Sequence, residues 1–114
     1  MVPTLTEPLS GALHELLTAR CLVERNKELA LALVAGGNRG ESNALTRHWA
    51  RDGVPPVGLR LTSESVLADG DAVALRVSVN DGRADWSLVV ELRFDAAGRI
   101  TECHDVLVPR AAAA

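Results

Sequence analysis

Aromatic residues are scarce in this chain. Its 114 residues include two Trp, one Phe and no Tyr, about 3% in all. So few rings cannot build a stacking platform for nucleic-acid bases. Lysine is almost absent as well: Lys27 is the single one, and eleven of the 12 basic residues are arginine. Against 15 acidic residues the formal charge is −3, without the basic excess of a nucleic-acid binder. The two cysteines, Cys21 and Cys103, lie too far apart in sequence for spacing to define a bridge. The N-terminus lacks the basic patch and continuous apolar stretch of an export signal, so two free thiols in a cytoplasmic protein are the expectation. No apolar run approaches a membrane span. The three histidines, His14, His48 and His104, are scattered, and no Cys-x-x-Cys or His-x-x-x-His spacing exists, which argues against a metal site. Gly36, Gly37 and Gly40 do not make a phosphate loop.

What remains is an ordinary globular composition, with 47% hydrophobic and 24% charged residues. The length suits one domain with one core, read here as residues 1–114 with a core over about 6–109 and a tail at 110–114. Thr6 is placed to cap a helix, with Glu7 and Pro8 in its first turn. Leu9, Leu13, Leu16 and Leu17 form an apolar stripe at helical spacing. The stripe loses phase near Arg25-Asn26-Lys27, and Leu22, Leu29, Ala30 and Leu33 follow on a rotated face. This predicts two helices, or one bent helix, ending at Gly36-Gly37. Ser42 is placed to cap a short third helix through roughly Arg51, which Gly53 and Pro55-Pro56 end.

Strands are predicted at about Val57–Ala68, Ala72–Asn80, Trp86–Phe94 and Arg99–Val108. In the second, Val73, Leu75, Val77 and Val79 share one face. In the third, Trp86, Leu88, Val90, Leu92 and Phe94 alternate with polar residues. Asp69-Gly70 is a two-residue hairpin signal, Asn80-Asp81-Gly82 marks a second reversal, and Asp95 to Gly98 fits a longer hairpin loop. Helices followed by an antiparallel meander predict an α+β domain with helices on one face of a curved sheet.

The stretch from Gly40 to Val108 resembles SnoaL-like proteins of the nuclear-transport-factor-2-like superfamily. The resemblance rests on Gly70-Asp71, Phe94-Asp95, Gly98-Arg99-Ile100 and Glu102-Cys103-His104-Asp105, together with Gly40-Glu41, Leu45 and Trp49. It departs from the family pattern in having Cys103-His104 before the final Asp and in lacking the family's Tyr-x-x-His-x-Pro segment. The resemblance implies N-terminal helices packed in a strongly curved antiparallel sheet, a cone-shaped α+β barrel with an apolar cavity at its open end. It also implies a small hydrophobic ligand, a homodimer, and chemistry without a metal or organic cofactor, such as the aldol ring closure of polyketide cyclases. Ketosteroid isomerases of the superfamily hold the oxyanion with a Tyr and a protonated Asp, and a chain without Tyr cannot repeat that device.

Asp105 is the first candidate catalytic residue. Ring closure needs a base beside a carbonyl, and burial raises a carboxylate's basicity. Asp105 matches the acid that the resemblance places in this role. The alternative is a structural acid paired with Arg99 or Arg110, or exposed on the outer face. Strand alternation puts Cys103 on the face of Asp105 and His104 on the opposite one; with reversed parity His104 becomes the pocket residue. His48 is either a pocket donor to a ligand carbonyl or, as the commoner case, a surface residue pairing with Asp52. Trp49 and Trp86 belong to the core or the cavity wall. Arg47 and Arg51 read as a solvated helix face, and Glu91 and Arg93 as the polar sheet side on which the superfamily dimerises. The leading expectation is a domain that binds a hydrophobic carbonyl compound and cyclises or isomerises it, with His48, Trp49, Trp86 and Cys103 shaping the pocket. The alternative is a non-catalytic ligand-binding or dimerisation domain.

Overall fold

A computed structural model describes residues 3–110, with side chains from residue 11 onward. One helix, α1 (Pro3–Asn38), precedes four strands, β1 (Arg60–Asp69), β2 (Ala72–Asn80), β3 (Asp85–Phe94) and β4 (Ile100–Pro109). The strands form one antiparallel sheet in the order β1-β2-β3-β4. The meander and the four strand positions follow the alternation, except that β1 starts at Arg60. The first hairpin closes one residue later than expected: Asp69 pairs with Ala72, so its loop is Gly70-Asp71. Gly70 takes a positive φ of 57°, which suits the first position of such a tight loop.

The cone-shaped barrel is overturned. The sheet is not strongly curled, and one helix packs against it where several were expected. α1 runs unbroken through Arg25-Asn26-Lys27 and one residue past Gly36-Gly37. It also starts before Thr6, which therefore lies inside it. The side chains of Thr6 and Leu9, and the tail at 111–114, lie outside the described residues.

The third helix is absent as well. Residues 44–49 form turns, because local side chains take over the backbone groups a helix would use. The Asn43 carboxamide accepts from Leu45 N at 2.8 Å, and Thr46 Oγ1 accepts from Asn43 N at 2.9 Å. Such bonds compete with the helical ladder. Beyond them, Arg51 and Val54 bridge across Asp52 (φ 52°) and Gly53 (φ 76°), the two left-handed residues that a tight reversal requires.

The core lies between α1, the turn segment and one sheet face. Val73, Leu75, Val77 and Val79 of β2 and Leu88, Val90, Leu92 and Phe94 of β3 are buried there with Ala30, Val34 and Leu45. α1 lies over β1 and β2, and two clasps fix it. Asn38 exchanges hydrogen bonds with the backbone of Leu61, at 2.7 Å to its N–H and 2.8 Å to its carbonyl. Arg25 donates to the carbonyls of Asp95 and Ala96 at 3.0 and 2.7 Å. Gly37 sits where a Cβ would come within 3.1–3.2 Å of Thr46 and Leu61, so its missing side chain lets the helix end approach both.

The side chains of residues 11–20 of α1 are all exposed. Leu13, Leu16 and Leu17 are 56%, 68% and 52% exposed. At 3.6 residues per turn their stripe is rotated by roughly a quarter turn from Asn26, Ala30 and Val34, the line that meets the sheet. No helix among the described residues is long and apolar enough to cross a membrane.

Candidate functional site

The β4 register decides which residues can act together. Cys103, Asp105 and Leu107 stand opposite Leu92, Val90 and Leu88, and so share the core face of the sheet. His104 stands opposite Glu91 on the outer face, where its side chain is exposed and 3.5 Å from Glu102. His104 is therefore not part of the site.

The Asp105 side chain is only 6% exposed. It does not pair with Arg99, which closes on Asp95, or with Arg110, which closes on Glu64. Its partners come from the turn segment. Arg47 grips it side-on, with Nη2 at 2.9 Å from Oδ1 and Nε at 3.1 Å from Oδ2. His48 Nε2 lies 2.9 Å from Oδ2. His48 thus pairs with Asp105 rather than with Asp52, and Arg47 is a ligand of the site rather than a solvated residue. Two-point guanidinium binding is among the stronger ion contacts.

The electrostatics differ from the expectation of a basic, buried carboxylate. Burial pushes the Asp105 carboxyl up, but hydrogen bonds from Arg47 and His48, and their charges, hold it below the ordinary carboxylate range. A carboxylate so held is a weak base. Burial pushes the Cys103 thiol up, against the pull of the Arg47 charge and with the push of Asp105. Cys103 is thus kept as a thiol and is no ready nucleophile.

His48 connects this buried pair to the surface. Its side chain is 32% exposed and lines a cleft of about 390 Å³ with Trp49, Arg51, Pro56, Asp81 and Arg83. Its ring packs edge-on against Trp49, with centroids 5.9 Å apart. A carboxylate only accepts, so Nε2 carries the proton of this bond; in the neutral ring Nδ1 then keeps its lone pair, and no hydrogen-bond partner occupies it among the described residues.

Asp81 organises the far wall. Its carboxylate accepts from the backbone of Arg83 and Ala84 at 2.9 and 2.8 Å and from Trp86 Nε1 at 3.0 Å. These bonds hold its carboxyl below the usual range. Trp86 thus touches the site through Asp81, on the same sheet face as Leu88.

Arg47, Arg51, Asp81 and Arg83 were not among the expected site residues. The Arg47–Asp105 link joins positions 58 apart and leaves no trace in local pattern. Asp81-Gly82 carried a signal as a turn, though not as a cleft wall. A second cleft, of about 470 Å³, opens between Ala19–Asn26 of α1 and the loops at Gly70 and Asp95; it contains none of the expected residues. Among the described residues no group of three or more His, Cys, Asp or Glu is placed to hold a metal.

No family model matches the chain, and no curated protein matches it. Among solved structures it is similar to AclR from Streptomyces galilaeus, described as a "putative hydroxylase". The two are 27% identical, the match covers 77% of this chain and 81% of that one, and the TM-score is 0.58.

Proposed function

We propose that this chain is a SnoaL-like domain that processes a small carbonyl compound, with His48 as the acid/base group and Asp105 as its positioning residue. The similarity to AclR supports small-molecule processing in general terms. The observation that carries the finer reading is the 2.9 Å contact between His48 Nε2 and a carboxylate already fixed by Arg47. A carboxylate behind an imidazole sets its tautomer and steadies the charge it gains.

In this mechanism His48 Nδ1 takes a proton from the carbon beside a ligand carbonyl. The electron pair of that C–H bond forms an enolate, whose charge the guanidinium-lined cleft stabilises. In an aldol closure the enolate carbon bonds to a second carbonyl carbon, and the resulting alkoxide recovers the proton from His48. In an isomerisation the proton returns to another carbon. Neither route consumes a cofactor. The test is exchange of α-protons for solvent deuterium, followed by NMR, across a panel of polycyclic aromatic ketones and steroid enones. His48→Gln is expected to slow exchange by about a hundredfold or more. Exchange unchanged in the folded variant removes His48 from the chemistry.

A second reading, an association domain, is favoured by the uncovered leucines of α1. The radius of gyration is 18.6 Å, against about 13 Å for a compact domain of this length. A second copy covering Leu13, Leu16 and Leu17 would make a homodimer, which is compatible with catalysis in each subunit.

A further inference from the structure

We infer that the cleft beside His48 binds a ligand that is itself an anion: a planar, aromatic carboxylate whose carboxyl group meets Arg51 and Arg83. This rests on the reading of that cleft as the small-molecule site, and it names the ligand class.

The argument starts from charge. The chain is acidic overall, and its arginines mostly lie against carboxylates. Arg39, Arg76, Arg93, Arg99 and Arg110 each do so. Arg51 and Arg83 have no such partner among the described residues, yet both line one cleft. The nearby acids do not cancel them. Asp105 is matched by Arg47, and the Asp81 carboxylate is shared among two backbone N–H groups and the Trp86 indole. Counting Arg51 and Arg83 against Asp81, the lining keeps a positive balance even with His48 neutral.

The two guanidiniums start from fixed points. The backbone of Arg51 is held by reciprocal hydrogen bonds with Val54 at 2.9 and 3.0 Å, and that of Arg83 by the Asp81 carboxylate. Both side chains are exposed, so a neutral ketone would leave this charge to solvent. A carboxylate answers it, since arginine recognises carboxylates through paired N–H donors. The half-buried Trp49 in the same wall supplies a flat apolar surface for an aromatic ring. A ligand bound this way presents its remaining ring carbons toward His48.

The experiment uses 2-naphthoate and its neutral isostere 2-naphthamide, titrated calorimetrically into the full chain at low ionic strength. Naphthoate is expected to bind at least tenfold more tightly than the amide. Arg51→Gln and Arg83→Gln are each expected to weaken naphthoate about fivefold or more without changing the amide, with folding checked by circular dichroism. Raising salt should erode the preference. Equal binding of acid and amide, binding of neither, or full naphthoate affinity in the double variant overturns the inference. His48→Gln separates the two claims. Naphthoate binding retained while proton exchange is unaffected by that variant sinks the catalytic reading alone, whereas exchange abolished without any acid-over-amide preference sinks this inference alone.

Discussion

His48 and Asp105, 57 positions apart in sequence, meet through a 2.9 Å hydrogen bond at the edge of the core. The carboxylate sits on the inner face of β4 and the imidazole on the turn segment that covers it. The bond therefore joins the sheet to its lid and orients the ring that lines the cleft. It makes Asp105 a group that acts through another residue.

Asp105→Asn keeps the shape and removes the charge. It is expected to slow α-proton exchange, though less than His48→Gln does, and to lower stability by about 1–3 kcal/mol, the range for losing hydrogen bonds to a charged group. Half of the Arg47 side chain faces solvent, which favours the lower part of that range. Urea unfolding measures the stability and NMR the exchange.

The same pair fixes the sign of an acid effect. The folded carboxyl of Asp105 titrates below its ordinary value, so between the two values the unfolded chain binds more protons. The stabilisation is complete above the unfolded pKa of about 3.9 and is lost as pH falls through the lower folded value. Unfolding midpoints of Asp105→Asn, measured from pH 6 down to pH 2, should fall less steeply than those of the parent. Parallel curves would remove Asp105 as a source of acid sensitivity.

The clasp between α1 and β1 is a separate prediction. Asn38→Ala removes both hydrogen bonds to Leu61 and leaves the N–H and carbonyl of that residue unmet at the core edge. A loss of about 1–3 kcal/mol is expected, with the cleft chemistry unaffected. Urea unfolding and the exchange assay on the same sample check both halves.

The uncovered helix face predicts an oligomer. Sedimentation of the parent chain should give a dimer, and Leu13→Glu with Leu16→Glu should give a monomer without loss of helix content. A monomeric parent would leave the projecting leucines without their proposed cover.

The strands were legible because burial imposes a period of two. Val73 to Val79 and Trp86 to Phe94 show it plainly, and the same alternation separates Asp105 from His104. The turn segment was not legible as such. Ser42 to Arg51 carries helix-like spacing, but Asn43 and Thr46 spend their side chains on nearby backbone groups, and that competition is settled only by the surroundings. Asp52-Gly53 holds a readable reversal signal, whereas Gly53 with Pro55-Pro56 reads as a helix stop. The strong curvature came from the family resemblance, whereas the several helices came from the phase break at Arg25-Asn26-Lys27 and the cap at Ser42; a single unbroken α1 and a turn segment replace them. Arg47 could not be found at all, since a contact across 58 positions depends on the assembled fold.

The most direct test is the protonation pattern of the His48 ring, read from long-range proton–nitrogen correlations at neutral pH. The account predicts a single tautomer with the proton on Nε2, giving way to a tautomer mixture in Asp105→Asn. A proton on Nδ1 in the parent chain, or a mixture that Asp105→Asn leaves unchanged, would contradict it.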